Sequence, residues 1–184
     1  MSTLPVTPSF DAGTALLSMC RELLRDTYLP KVRLACAPLT DADVWWRPVE
    51  GSNSIGVLLV HMAGNARQYI VSGVGGAPMT RDRDAEFATD GGLTRDEVVA
   101  HFATAIRECD AVLAALPAAA LGDRHVIQGR ELTTLAAVVQ VVEHVAGHVG
   151  QVIQLAKWRA PGTIRFYEAS SHGVRRLWTP DDAS

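Results

Sequence analysis

The stretch LAAVVQVVEHVAGHVGQVIQLAKW, residues 135–158, decides the fold of this chain. Its apolar residues recur three and four positions apart, which is typical of a helix with one buried face. They form an unbroken stripe of Leu135, Val138, Val142, Val145, Val149, Val152 and Ala156. The polar residues between them would be costly in lipid. The stretch therefore predicts a buried helix of a soluble fold, over about 133–159, ended by Pro161 and Gly162.

Three more helical patterns precede this helix, and we find no strand alternation or internal repeat elsewhere in the sequence. Together the four patterns predict an all-α fold with the architecture of a four-helix bundle. The last residues, 161–184, read as an irregular tail. The predicted helices cover about 11–37, 53–72, 94–116 and 133–159.

Capping residues and prolines mark the helix boundaries. Pro30 breaks or kinks the first helix, and Asn53 can cap the second. Thr94 and Glu97 form a capping box for the third helix, and residues 40–43 form another that opens a short turn. These signals agree with the four helical patterns.

The length and charge of the chain limit its function class. At 184 residues with 48 % hydrophobic residues, the chain suits one domain spanning 1–184, with the bundle over about 10–160. The net charge of −3 leaves no large basic surface for nucleic acid. No signal-peptide pattern is evident in residues 1–10. We therefore expect a cytoplasmic protein without nucleic-acid or membrane partners.

The three cysteines do not suggest a disulfide framework or a metal motif. They are odd in number and far apart, and none belongs to a CxxC pair. We expect reduced thiols, as is usual in the cytosol. The three residues are Cys20, Cys36 and Cys109.

Two of the six histidines have the spacing of a metal chelate. His144 and His148 are four residues apart, so on a helix they lie one turn apart on neighbouring faces. His148 lies within the apolar arc and His144 at its border, so both face the bundle core. Such residues either bind a metal ion or form hydrogen bonds in the core, because an unpaired buried polar group is costly. Spacing and face leave both interpretations open.

Two familiar metal sites are excluded by the residues around this pair. Val145 stands where the HExxH motif of zinc proteases has its glutamate base. A ferritin-like di-iron site needs two Glu-x-x-His repeats, which the chain lacks. Glu143 lies away from the histidine face and is a poor candidate base.

A third ligand would have to come from another helix, and His61 is the candidate. It lies in the middle of the second helix, on a face that also carries Ser54, Asn65, Gln68 and Ser72. That face is polar either because it meets solvent or because it lines a polar cavity inside the bundle. The helical pattern favours solvent but does not decide between them.

The sequence resembles the DinB-like (YfiT-like) superfamily, over roughly residues 14–158. The resemblance rests on an ordered set of segments, which is more specific than any one of them. They are WWRP (45–48), NSIGVLLVHMAGN (53–65), RDRD (81–84) with EF (86–87), EH (143–144) and HVGQ (148–151).

The resemblance implies a four-helix bundle that binds a divalent metal ion, usually zinc or nickel, through three histidines. Carried over by position, the ligands are His61, His144 and His148. Relatives include transferases that add a low-molecular-weight thiol to an electrophile, and others are described as metal-dependent hydrolases. The resemblance thus implies a small-molecule substrate, and a thiol co-substrate if the protein is a transferase. It also implies a homodimer, because members of the family are commonly dimeric. The alternatives are a non-catalytic metal-binding scaffold or stress protein, and a metal-free bundle.

Other residues are candidates for supporting roles. Asn65 and Gln151 each lie near a ligand on its own helix and could orient it. Arg81 or Arg83, in the long charged loop of about 73–92, could hold the carboxylate of a thiol. The alternative, which we favour, is a solvated loop of ion pairs.

The remaining aromatic and histidine residues are expected to be structural. Trp45 and Trp46 pack the open end of the bundle rather than stack on a ligand. Three histidines show no convergent partner and are treated as surface or structural residues: His101, His125 and His172.

Overall fold

The computed structural model describes residues 10–170 and 173–179, and the chain in these ranges is mostly helical, as predicted. Its α-helices are α1 Ala12–Glu22, α2 Leu29–Cys36, α3 Asp41–Trp45, α4 Ile55–Ala66, α5 Arg83–Ala88, α6 Arg95–Ala115 and α7 Thr134–Arg159. The strands are β1 Arg124–Ile127, β2 Arg130–Thr133, β3 Tyr167–Ser170 and β4 Gly173–Arg176.

Pro30 widens the first helical run without ending it. Proline has no N–H, and its ring clashes with the carbonyl four residues earlier. The turn before it, Leu23–Tyr28, is π-helical, and the Leu29 N–H donates to the Leu24 carbonyl five residues back. The wider turn accommodates the ring, so the helix continues to Cys36. A second π-helical segment, Arg67–Val74, extends α4 and contains no proline.

The helix starts agree with the predicted caps, with one exception. Thr40 and Thr94 both form complete capping boxes, with Asp43 and Glu97 respectively. The second long helix is capped by Ser54 and not by the predicted Asn53, because the Ser54 hydroxyl accepts the Val57 N–H. Asn53 is left outside the helix.

Helix α4 lies at the centre of the molecule. It packs against α6, α7 and α5, and nearly all its side chains are buried. Gly56, in its first turn, lies under the ring of Trp45, where a Cβ would come within 2.5 Å of the ring. Trp45 also donates its indole N–H to the Leu93 carbonyl. The tryptophan therefore packs against the fold, as predicted.

Two short hairpins accompany the helices, although the sequence shows no strand alternation. Strands β1 and β2 pair antiparallel, and so do β3 and β4. The second hairpin lies in the tail that was expected to be irregular. The tail returns to the helices, because Leu177 donates its N–H to the Phe166 carbonyl and Trp178 is buried beside Lys31.

Helix α7 is long and apolar enough to cross a membrane by length and composition. Core helices of soluble proteins pass the same criterion. Here Val138, Val145 and Val152 are buried in the core, whereas Leu135, from the predicted apolar stripe, is 40 % exposed. The helix is part of the core, as the sequence predicts.

Candidate metal centre

The three candidate histidines meet between α4 and α7. One ring nitrogen from each of His61, His144 and His148 lies within 4.8 Å of those of the other two. The ring centroids are 4.4 Å apart for the α7 pair, and His61 lies 5.0 Å from His144 and 5.3 Å from His148. The three side chains therefore form one cluster, which we call the histidine cluster.

His61 faces the interior, so the favoured interpretation of a solvent-facing residue is wrong. Only 4 % of its surface is exposed. Its polar face meets a polar cavity because the segment after α4 folds back over it as α5. Phe87 covers the ring at a centroid distance of 4.5 Å.

A buried ion pair holds His61 from behind. Arg81 donates to both oxygens of Glu86, from Nε at 2.7 Å and from Nη2 at 2.6 Å. The Glu86 Oε2 atom lies 3.0 Å from His61 Nδ1. The side chain of Arg81 is 4 % exposed and that of Glu86 10 %. The prediction of a solvated loop is therefore wrong for these two residues, and the loop contains the short helix α5.

The pair fits against α4 because of a glycine one turn after His61. A Cβ at Gly64 would collide with the carboxylate of Glu86 and lie 3.0 Å from Arg81 Nε. Any larger residue would displace the pair from His61. The requirement for glycine at 64 is thus steric.

Side-chain amides extend the support of Arg81 toward the first hairpin. Arg81 Nη1 donates to Gln68 Oε1 at 2.8 Å, and Gln128 donates to the same oxygen. Tyr69 donates its hydroxyl to Gln128 Oε1. Gln128 lies in the turn between β1 and β2, at a positive φ of 53°. The hairpin therefore helps to fix the position of Arg81.

The hydrogen bonds leave the Nε2 atoms of two histidines free. A carboxylate only accepts, so the 3.0 Å contact with Glu86 Oε2 favours a proton on His61 Nδ1, and Arg81 Nη2 lies 3.2 Å from the same nitrogen. His148 Nδ1 is 2.8 Å from Gln151 Oε1 and donates to it. In both rings Nε2 keeps its lone pair, the arrangement that carboxylate or carbonyl partners impose on metal-binding histidines. Gln151 thus occupies its predicted supporting place.

His144 carries the unsatisfied atom of the cluster. Its Nε2 is buried and has no hydrogen-bond partner within the described ranges. Burial, together with the neighbouring His148 and His61, lowers the pKa of His144 to about 4. Burial also lowers the pKa of His61, although its hydrogen bond to Glu86 acts in the opposite direction. Both rings are therefore neutral at pH 7, as metal ligands must be.

The donor set and its surroundings fit a divalent ion of intermediate softness. Neutral imidazoles suit zinc and nickel, and three of them leave a coordination position open. Two of the three histidines also line a pocket of about 370 Å³ along α7, of which His61 is not a lining residue; the lining residues are Gln140, Glu143, His144, Gly147, His148 and Gln151. Glu143, placed away from the histidine face by the helical wheel, lies in the wall of this pocket.

Two other supporting candidates are placed differently from their predictions. Asn65 is buried, but its Oδ1 has no hydrogen-bond partner among the residues the structure describes. It is therefore not seen to orient a ligand. Arg83 is exposed and lies over the ring of Phe87 at 4.8 Å. Arg81 is committed to Glu86 and Gln68, so Arg83 is the cation left at the edge of the cluster.

The bystander histidines have partners of their own, which the sequence did not indicate. His101 Nε2 is 3.2 Å from Arg67 Nη1, and His125 Nε2 is 2.8 Å from Thr134 Oγ1. His172 lies outside the described residues. Neither His101 nor His125 joins the cluster of three.

The cysteines are free and buried, as expected. Burial raises the pKa of the Cys36 and Cys109 thiols to about 12, and it also raises that of Cys20. Thiols of this kind stay protonated and unreactive at pH 7.

Glu86 is the site residue that sequence reasoning missed as a partner of His61. It stood in a charged loop, where the residues around it suggested only solvated ion pairs. The signal that could have found it is Gly64, a glycine one turn after His61 in the interior of the helix. Such a glycine allows a side chain from elsewhere to approach closely.

Comparison with known proteins identifies the family and the fold. A family model described as "Protein of unknown function (DUF1572)" matches residues 11–164. Among solved structures, the chain is similar to a conserved protein from Enterococcus faecalis with 14 % identity and a TM-score of 0.61. That match covers 83 % of this chain and 99 % of the other, and at this identity it supports the fold alone. The search of curated proteins finds no match.

Removing Glu86 should destabilise the protein strongly. The Glu86→Ala variant leaves Arg81 buried without its counter-charge, and we expect a loss of about 3–5 kcal/mol in the free energy of unfolding. Urea denaturation followed by circular dichroism measures it.

The matched control is Glu131→Ala, which removes the exposed ion pair with Arg124. That pair should contribute less than about 1 kcal/mol. Equal losses in the two variants would contradict the claim that the Arg81–Glu86 pair is held in the interior.

Proposed function

The chain belongs to the DUF1572 family. We propose that it is an enzyme that binds a divalent metal ion, zinc or nickel, through His61, His144 and His148 and uses this ion in catalysis. The proposal rests on one observation above all. One ring nitrogen from each of the three histidines lies within 4.8 Å of those of the other two, and the Nε2 atom of His144 is buried without a hydrogen-bond partner among the described residues. It also follows the resemblance to the DinB-like superfamily, whose four-helix bundle we assign to this chain as a single domain.

A metal-free core explains the cluster less well. In that case His144 Nε2 would stay buried and unsatisfied, at a cost of about 1–3 kcal/mol. Three histidine ring nitrogens would also lie within 4.8 Å of one another with no cation between them. A cation between them satisfies every one of these atoms at once.

A catalytic role is favoured over a structural one by the number of ligands and by access. Structural zinc sites are closed by four protein ligands, whereas three histidines with an open position are typical of catalysis. Within the described residues, the group that can hold an ion comprises three side chains, and a pocket of about 370 Å³ adjoins it. The alternative is a scaffold or stress protein in which the ion only braces α4 and α7.

The bound metal would lower the pKa of a water or thiol at the open coordination position. Glu86 keeps the His61 proton on Nδ1, and Gln151 does the same for His148, so both rings stay oriented. Arg81 holds Glu86 in place. Gln140 and Glu143 face the space where a substrate would lie.

We propose that the substrate is a small molecule and that the reaction is either transfer of a low-molecular-weight thiol to it or its hydrolysis. In the transferase case the sulfur comes from the co-substrate, since the three cysteines are buried and protonated. Arg83, exposed beside the cluster, is available for a carboxylate of that thiol. We also propose that the protein is a cytoplasmic homodimer without nucleic-acid or membrane partners.

Metal analysis tests the site directly. Protein purified without a histidine tag and dialysed against zinc or nickel should hold about one ion per chain. Each of His61→Ala, His144→Ala and His148→Ala should lose the ion, because two ligands bind far more weakly than three. Metal at a hundredfold excess over Kd should stabilise the wild type by about 2.7 kcal/mol.

The matched controls are His101→Ala and His125→Ala, which remove histidines outside the cluster. Both should load as the wild type does. Unchanged loading in the His148→Ala variant, or loss of metal in a control, would overturn the assignment of the ligands.

A thiol screen tests the transferase reaction. Zinc- or nickel-loaded protein is mixed with bacillithiol or mycothiol and monochlorobimane, and the fluorescent conjugate is followed. We expect turnover that depends on bound metal and falls by at least about a hundredfold in the His148→Ala variant, because the metal activates the thiol. Metal-loaded protein that turns over neither thiol would contradict the transferase and favour a hydrolase or a scaffold.

A further inference from the structure

A second cavity adjoins the histidine pocket along α7. It has a volume of about 260 Å³ and its walls are mainly apolar, formed by Pro48, Leu58, Leu155 and Trp158. Gln151 lines both cavities and is also the partner of His148. The two spaces therefore meet at one side chain.

The spacing of residues on α7 places both cavities on one face. His148, Gln151, Leu155 and Trp158 follow one another at intervals of three, four and three residues. Such intervals keep side chains on one face of a helix. Seven residues separate His148 from Leu155, which is about 10 Å along the axis at 1.5 Å per residue.

The wall residues of this cavity have free surface and free polar groups. Trp158 is 56 % exposed, a large apolar area for a residue that lines a pocket. Ser54 caps α4 in place of Asn53. The Asn53 side chain is therefore not used as a cap. Within the part of the chain that the structure describes, neither this side chain nor that of Gln154 makes a hydrogen bond. Both border the cavity.

We propose that this cavity, the Trp158 pocket, binds an apolar, ring-sized part of the substrate whose reacting group lies at the histidine cluster. The inference rests on the proposed function and adds the class of substrate: a molecule with a metal-binding polar end and an apolar group about 10 Å away. Asn53 and Gln154 supply hydrogen bonds to a polar atom on that apolar group.

Continuity with the histidine pocket identifies a small molecule as the occupant. Cavities of about 370 and 260 Å³ that share Gln151 together reach the size usual for small-molecule sites. Apolar walls with a few polar groups are the composition expected of such sites. A second copy of the chain packed on Trp158 would instead use the exposed ring and leave the concave part unfilled.

Hydroxamates of different length test the pocket, because their polar end binds zinc whatever the tail. The dissociation constants of acetohydroxamate and of phenylhexanohydroxamate, whose ring reaches about 10 Å from the zinc-binding end, are measured on the zinc-loaded protein by calorimetry. We expect the phenyl compound to bind at least about tenfold tighter, from burial of the ring. The Trp158→Ala variant should lose most of this ratio while its affinity for acetohydroxamate stays unchanged.

Tyr167→Ala is the matched control, since Tyr167 is an aromatic residue of nearly the same exposure, 57 %, outside the cavity. It should keep the wild-type ratio. A second variant, Gln154→Trp, fills the cavity from its exposed rim while keeping the apolar wall; it removes an amide that the phenyl tail does not use, and it should abolish the ratio as well. It keeps the test valid should Trp158→Ala fail to fold.

The outcomes separate the two proposals. Acetohydroxamate binding with no gain from the phenyl tail overturns the Trp158 pocket and leaves the metal site standing. A dimer that Trp158→Ala converts to a monomer, with no tail gain in either form, also overturns it and assigns the surface to a second copy. A protein that binds neither zinc nor acetohydroxamate overturns the proposed function together with this inference.

Discussion

The buried contact from Arg81 through Glu86 to His61 is the interaction on which the rest of the site depends. It brings two charges into the interior of a helical protein, where an unpaired charge is costly. The bidentate geometry and the further bond to Gln68 offset that cost. Its effect is to fix the ring of His61 in one orientation and one tautomer. Without it, His61 would be a second buried polar side chain, beside Asn65, on a helix whose residues are nearly all buried.

Helix α7 supplies the other half of the site, and it does so by simple helical geometry. One face carries His144 and His148, which meet His61 from α4. The same face continues through Gln151 to Leu155 and Trp158. The residues of α7 that pack into the core are mostly valine and alanine, and Leu155 belongs both to the core and to the wall of the second cavity. One helix therefore serves as a core element and as the floor of two adjoining cavities.

Much of the helical fold and two members of the cluster could be predicted from the sequence because their signals are local. The capping boxes at Thr40 and Thr94 depend on side chains three residues apart. The face shared by His144 and His148 follows from helical spacing alone. For these features, local geometry and tertiary structure agree.

The features that were missed depend on contacts between distant residues or on short elements. The partnership of Glu86 with His61 spans 25 residues and has no periodic signature. Strands β1 and β2 are four residues each and turn at Gln128 and Gly129, with positive φ angles of 53° and 73°. Glutamine is an uncommon residue at such a turn position, so the usual Asn-Gly signal was absent. The orientation of His61 could not be read from α4, since a polar face looks the same against solvent and against a polar cavity.

X-ray absorption spectroscopy of the zinc-loaded protein tests the central claim most directly, because it reports the atoms bound to the ion. The account predicts three imidazole nitrogens at about 2.0–2.1 Å and one further light atom from solvent. A sulfur shell at about 2.3 Å, or a site closed by a fourth histidine, would contradict it.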